Sequence, residues 1–514
     1  LNYQKRVLLL IAISTIFRSV IACSLELSNT EVYYWTFARH LQWNYFDHPP
    51  VVAWLIRLTT LNLLLQNEYF VRLGAIIASA ICTWLIFKAG IKIRDERTGW
   101  FAALLYTASI YSSIASGAFI LPDSPQMVFW LAGFLTLLGI SHQPAGNSKL
   151  ILRWGLFGVI TGLCIMCKVH GIFLWLGMIL YALLFNRSWF KYPGIYLSTA
   201  LTLLIASPIV FWNLENHFAS YTFHSSRITL TNASMNPGLF VKQLLSTILI
   251  TNPVNFFLIC FSLFLAFKPR LPVLKKDLQI ILCCSLPLIA ILLFISLFRE
   301  TYAHWSGPGF STLLLLPAVK LASDIGPVKK LIPGEMKWAL GFCIIFIFSE
   351  IMITWFYPGT VSNQKDGLNI GKGDFSLDMY GWKHTGQAYD SFYQHDVLTK
   401  KMPPNAPIIV TQWYPAGHID YYIGSKTKQH TIGMGDISAL HEYYWTNHYK
   451  PPLKPGDSAY YLVPSNLFDY KILDKVINRF SSYEMPLVIG LSRNGIVCKQ
   501  VYVFRLKGYM PGEF

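Results

Sequence analysis

Through roughly its first two thirds the chain alternates apolar runs about 20 residues long with short polar connections, and that is the length at which one helix crosses a hydrocarbon layer. The runs predict spans at 7–24, 70–91, 99–115, 124–141, 152–167, 171–186, 194–212, 243–267, 278–297, 306–323 and 337–356. About eleven spans over 1–357 predict a polytopic α-helical membrane region. Lys5 and Arg6 ahead of the first run, with small residues from Ala22 to Ser24 at its end, imitate a secretory signal peptide. Arg18 inside that run and the spans that follow it point instead to a retained signal-anchor.

Three stretches interrupt the pattern. Residues 25–69 are aromatic and alternate polar with apolar positions, which predicts two short amphipathic helices at the membrane surface joined by a bend at WNYFDHPP. Residues 213–242 are polar and hold His217, His224, Arg227 and Lys242. From 358 onward, spaced Gly and Pro and short β-prone runs (APIIVTQWY, DSAYYLVP, KQVYVFRL) predict a small α/β domain over 358–514, with helices near 384–401 and 436–446.

Composition agrees with the membrane as solvent: 54% of the 514 residues are hydrophobic and 13% charged, about half the usual share for soluble domains. The basic residues then set the orientation. Lys5 and Arg6, Lys88 to Arg97, Lys149 and Arg153, Arg187 and Lys191, Lys268 to Lys276, and Lys320, Lys329, Lys330 and Lys337 fall on alternate connections, which are retained on the cytoplasmic side. The N-terminus is therefore expected inside and the C-terminal domain outside. A net charge of +16 spread over such loops does not form a nucleic-acid face. Of nine cysteines only Cys498 lies in the exterior domain, and Cys164 and Cys167 have CxxC spacing inside an apolar run, where helix packing is their expected role.

Ionisable groups at the exterior ends of membrane helices cost several kcal/mol unless they face protein or water, so they mark candidate sites. Five clusters share that side: Asn29, Thr30 and Glu31 with Tyr34; Tyr45 to Pro50, holding Asp47 and His48; Asp123 in LPDSPQ; Lys168 with His170 in CKVHG; and Arg299, Tyr302, His304 and Trp305 in FRETYAHWSGPG. Each has a plain alternative, since surface loops carry such residues and an acid such as Asp123 complements a helix N-terminus. Together they suit one chemistry. Carboxylates deprotonate an attacking hydroxyl, while Lys, Arg and His stabilise a phosphate leaving group.

The strings EVYYWTFARHLQWNYFDHPPVVAWLI and LPDSPQMVFW, Lys168, the HW of AHWSGPG, and QWYPAGHIDYYIG resemble the membrane glycosyltransferases related to protein O-mannosyltransferases and bacterial aminoarabinose-lipid A transferases. The resemblance extends over essentially the whole chain, and EVYYW paired with FDHPP is its most specific part. It implies a GT-C fold and transfer with inversion from a polyprenyl-phosphate sugar, such as an undecaprenyl-phosphate sugar, to a lipid, glycan or protein hydroxyl. It implies a bacterial inner membrane with chemistry on the periplasmic face. It further implies that Asp47 and Asp123 position acceptor and donor sugar, that Lys168, Arg299 and His304 hold the lipid phosphate with His48, Tyr302 and Arg227 nearby, and that Tyr34 and Trp43 wall the cavity. No metal or cofactor is expected. In that family an acidic pair opens the first exterior loop; here Thr30 stands at the first position and only Glu31 remains, so the base falls to Asp47 or Glu31, or the chain is a silent homologue. A lipid-linked sugar transporter is the other alternative, disfavoured because no internal repeat is evident and the polar groups gather at one rim.

Overall fold

The computed structural model describes residues 2–144, 149–231, 233–324 and 331–512. Lys329 and Lys330 lie outside the described residues. In chain order the helices are α1 (Tyr3–Ser24), α2 (Asn29–Arg39), α3 (Val51–Thr59), α4 (Glu68–Ile93), α5 (Glu96–Ala108), α6 (Asp123–Ser141), α7 (Leu150–Cys167), α8 (Ile172–Phe185), α9 (Pro193–Glu215), α10 (Ala219–Ile228), α11 (Pro237–Thr251), α12 (Pro253–Phe267), α13 (Lys275–Ser296), α14 (Gly307–Leu313), α15 (Leu315–Asp324), α16 (Gly334–Phe356) and α17 (Trp382–Leu398). The chain divides into two compact units, Leu1–Ala22 with Trp43–Phe346, and Cys23–Gln42 with Ile347–Phe514.

The first unit is helical and membrane-spanning. Among the described residues seven helices are long and apolar enough to cross a bilayer: α1, α4, α6, α7, α9, α13 and α16. The runs read as spans at 99–115, 171–186 and 306–323 form shorter helices, and the run at 243–267 is not one straight helix. It bends by 100° where α11 meets α12. Pro253 has no N–H to continue the ladder and its ring clashes with the preceding turn. Asn252 seals the break: its amide donates to the carbonyls of Ala108 (2.9 Å) and Ala339 (2.7 Å), and its Oδ1 caps Val254. Helices here meet through small residues. Gly158 of α7 lies so close to the Ser198 backbone of α9 that a Cβ would stand 2.6 Å from the Ser198 Cα, and Thr202 Oγ1 donates to the Gly158 carbonyl (2.9 Å).

The second unit joins α2 to a six-stranded mixed sheet of β1 (Ile408–Val410), β2 (Thr431–Gly433), β3 (Ala459–Pro464), β4 (Phe480–Tyr483), β5 (Leu487–Arg493) and β6 (Ile496–Tyr509). The order is β2-β1-β3-β6-β4, with β5 also paired to β6; β1 runs parallel to β2 and β3, and β6 antiparallel to its neighbours. The three β-prone runs of the sequence supply β1, β3 and β6, and the helix expected near 384–401 is α17. The helix expected at 436–446 is two short pieces, Ile437–Leu440 and Glu442–Thr446.

Helix α2 departs from the surface helix expected of it, because every residue from Glu31 to Ala38 is buried. Two carboxylates pin its neighbourhood. Asp378 accepts from the Asn29 N–H (3.0 Å), and Glu26 accepts from the Trp382 and Lys383 N–H groups (2.7 and 3.0 Å) that open α17. Trp35 meets Tyr421 edge-on at 4.9 Å, Trp413 packs on Tyr33 at 5.0 Å, and Tyr422 accepts from the Leu27 N–H (2.8 Å). The aromatic density of QWYPAGHIDYYIG is thus largely packing around α2.

Candidate active site

The site grows from the ends of three elements in the first unit. Asp123 begins α6 behind Pro122, where the helix N-terminus favours a carboxylate. Lys168 ends α7, the end that favours a cation, before the backbone turns extended and re-enters through a short 3₁₀ turn to α8. Its Nζ donates to Asp123 Oδ2 at 2.8 Å, and both side chains are buried. The other oxygen, Asp123 Oδ1, accepts from the Tyr111 hydroxyl at 3.1 Å.

Three imidazoles surround this pair. His48, His170 and His304 all feel the charges of Lys168 and Asp123, and the rings of His170 and Trp305 lie 5.6 Å apart. Burial pushes His48 down to about 3, with Lys168 and His224 pushing the same way and Asp47 opposing. Burial and Lys168 push His304 down to about 4. Both are therefore neutral near pH 7 and act as hydrogen-bonding groups. His170 Nδ1 is buried without a hydrogen-bond partner among the described residues, as are both amide atoms of Gln126, one turn along α6 from Asp123.

Asp47 and His48 sit in a turn closed by the Tyr45 N–H donating to the His48 carbonyl (3.2 Å). The polar stretch after α9 packs on this turn. Ser220 donates to the Tyr45 carbonyl (3.2 Å), Phe223 meets Phe46 at 4.6 Å, and His224 Nε2 lies 3.0 Å from the Asp47 carbonyl. From the same helix, α10, Arg227 lies over the rings of Tyr302 (5.8 Å) and Trp305 (5.5 Å), beside His304. Elsewhere in this unit, α11 to α14 line an apolar cavity of about 170 Å³, with residues such as Phe256, Ile289 and Phe310 on its wall.

Asp47, His48, Asp123, Lys168, Arg227, Tyr302 and His304 thus fall in one neighbourhood. Arg299 Nε donates to the Thr229 carbonyl (3.2 Å) at the end of α10, two residues beyond Arg227. Thr30, Glu31 and Tyr34 belong to the second unit. There Glu31 Oε2 accepts from the Ser28 N–H and hydroxyl (both 3.0 Å) as a helix cap, Thr30 Oγ1 lies 3.3 Å from Ser28 Oγ, and Tyr34 is buried against Phe37 at 5.5 Å. Tyr111 and His224 were missed as site groups. A tyrosine inside an apolar run carries no sequence signal, and His224 was visible only as one polar residue of a long loop. Among the described residues no group of His, Cys, Asp and Glu is arranged to hold a metal ion.

Residues 47–212, which hold Asp47, Asp123 and Lys168, match the family described as dolichyl-phosphate-mannose-protein mannosyltransferase. The chain is 21% identical over 277 residues to the lipid A galacturonosyltransferase RgtD of Rhizobium johnstonii, a similarity spanning 54% of this chain and 56% of that relative, about half the length of each. Its fold is similar to that of ArnT from Cupriavidus metallidurans, with a TM-score of 0.65 for the apo form and 0.61 for the form bound to undecaprenyl phosphate. Identities are 14% and 13%, with 97% of this chain and 98% of the other covered in each. The fold is therefore the GT-C fold of a multi-pass membrane protein with a small mixed-sheet C-terminal domain.

Proposed function

We propose that this protein is an inverting glycosyltransferase that moves a monosaccharide from a polyprenyl-phosphate carrier to a hydroxyl of a lipid A-like acceptor. The observation that carries this reading is the buried Lys168–Asp123 pair at 2.8 Å, ringed by His48, His170 and His304 beside the Asp47 turn. The likeness to an ArnT structure holding undecaprenyl phosphate supports the carrier, and the similarity to a lipid A galacturonosyltransferase supports the acceptor class.

Asp123 is committed to Lys168 and Tyr111, so proton abstraction falls to the Asp47 carboxylate. The acceptor oxygen loses its proton to Asp47 and bonds to the anomeric carbon on the face opposite the phosphate. The bond from that carbon to the phosphate oxygen breaks, its electron pair leaves with the polyprenyl phosphate, and the anomeric configuration inverts. Lys168 keeps N–H donors beyond the one given to Asp123. With Arg227 and the neutral His304 it meets the charge that grows on the phosphate. The apolar cavity among α11 to α14 suits the first isoprene units of the carrier. The site faces the periplasm of a bacterial inner membrane, with the N-terminus cytoplasmic.

The test is a reconstituted assay in which purified protein receives an undecaprenyl-phosphate sugar and a lipid A acceptor. Stoichiometric release of undecaprenyl phosphate with an acceptor of inverted anomeric linkage is expected. Movement of intact donor across the vesicle without release would instead make the protein a transporter.

A further inference from the structure

Arg18 lies at the bundle interior of α1 with 1% of its surface exposed, and among the described residues no carboxylate pairs with it. A guanidinium held in an apolar interior is costly and persists where it has a task. Its Nε donates to the Ser113 carbonyl and its Nη2 to the Ser113 hydroxyl, both at 3.3 Å. Ser113 belongs to a wide turn, Tyr111–Ala115, in which the Ser116 N–H reaches back five residues to the Tyr111 carbonyl (2.8 Å). Such π turns interrupt a helix to re-aim a side chain and concentrate at functional sites.

The re-aimed side chain here is Tyr111, whose hydroxyl donates to Asp123. The turn is held from several sides. Ser113 Oγ donates to the Thr107 carbonyl (2.6 Å), Ser112 Oγ donates to the Tyr106 carbonyl, and Gly307 lies flat against the Tyr111 ring, where a Cβ would overlap it. Arg18 bonds the turn through a guanidinium, and it grips the residue two places after Tyr111.

We propose that Arg18 is a positioning residue which, through the turn at Ser113, fixes Tyr111 against Asp123 and so sets the carboxylate that Lys168 holds from the other side. This rests on the glycosyl-transfer reading of the site. Lysine in place of Arg18 keeps the charge but loses the two-point grip on Ser113. The Tyr111 hydroxyl then leaves Asp123 Oδ1, and the carboxylate swings on its single remaining donor.

The experiment places 3-fluorotyrosine at position 111 of the full-length protein in nanodiscs and follows its fluorine resonance. Asp123→Asn reports the shift caused by neutralising the acceptor and so weakening its bond to Tyr111, and Arg18→Lys is expected to move the resonance in the same direction. In turnover, Arg18→Lys is expected to lower kcat about tenfold with KM unchanged, the order of one lost hydrogen bond to a charged group, and to have no further effect on top of Tyr111→Phe. If Arg18→Lys does not fold, Ser113→Ala removes the hydroxyl end of the grip and is expected to shift the same resonance. A resonance moved by Asp123→Asn but unmoved by Arg18→Lys or Ser113→Ala overturns the proposal, as does a loss that multiplies with that of Tyr111→Phe. If the wild type transfers no sugar, the functional reading fails, and the fluorine resonance still decides the role of Arg18.

Discussion

The ammonium of Lys168 stands 2.8 Å from the carboxylate of Asp123, and both side chains are buried at the ends of two membrane helices. Removing one member of a buried pair leaves a charge without its counterion, at a cost of about 3–5 kcal/mol, whereas removing both costs far less. Lys168→Met alone is therefore expected to lower the Tm strongly. The double variant Lys168→Met with Asp123→Leu is expected to regain most of the Tm while remaining inactive. Equal Tm losses for the single and double variants would show that the pair is not stabilised by mutual attraction.

His304 gives the pH dependence its sign. Its proton is bound less readily in the folded protein, at about 4, than in an unfolded chain near 6.5. Its contribution to stability is thus fully present above 6.5 and is lost as pH falls toward 4. Thermal unfolding of the wild type is expected to drop faster between pH 6.5 and 4.5 than that of His304→Gln. Parallel curves would mean that His304 is not held neutral.

Thr30 tests where the base lies. Glu31 caps α2 through Ser28, and a threonine hydroxyl does not accept a proton near neutral pH. With Asp47 as base, Thr30→Asp is expected to change kcat by less than about threefold, well below the 10²–10⁴ of a general base. A gain of about a hundredfold in sugar transfer would move that role to position 30.

Much of the site was legible because charge is rare in apolar sequence. Asp123, Lys168 and His304 stand at the ends of hydrophobic runs, where an ionisable residue has few structural reasons to be, and all three meet in the structure. One cause of what the sequence hid is polar groups satisfied locally rather than by solvent. Glu31 and Thr36 made α2 look amphipathic, yet Ser28 satisfies the first and the Val32 carbonyl and Tyr443 the second, so the helix is buried. The break at Asn252 and Pro253 lies inside an apolar run of a length that one span could fill, although the TNPVN step is polar and Asn-Pro is itself a turn signal. Tyr111 depends on a π turn, which has no periodic signature.

The most direct measurement is the rate at which purified protein releases polyprenyl phosphate from its sugar-loaded carrier, compared among wild type, Asp47→Asn and Asp123→Asn. A base at Asp47 predicts a loss of at least about a hundredfold for Asp47→Asn without loss of folding, and a large loss for Asp123→Asn. Full turnover in both variants would contradict a catalytic centre between Asp47 and the Lys168–Asp123 pair.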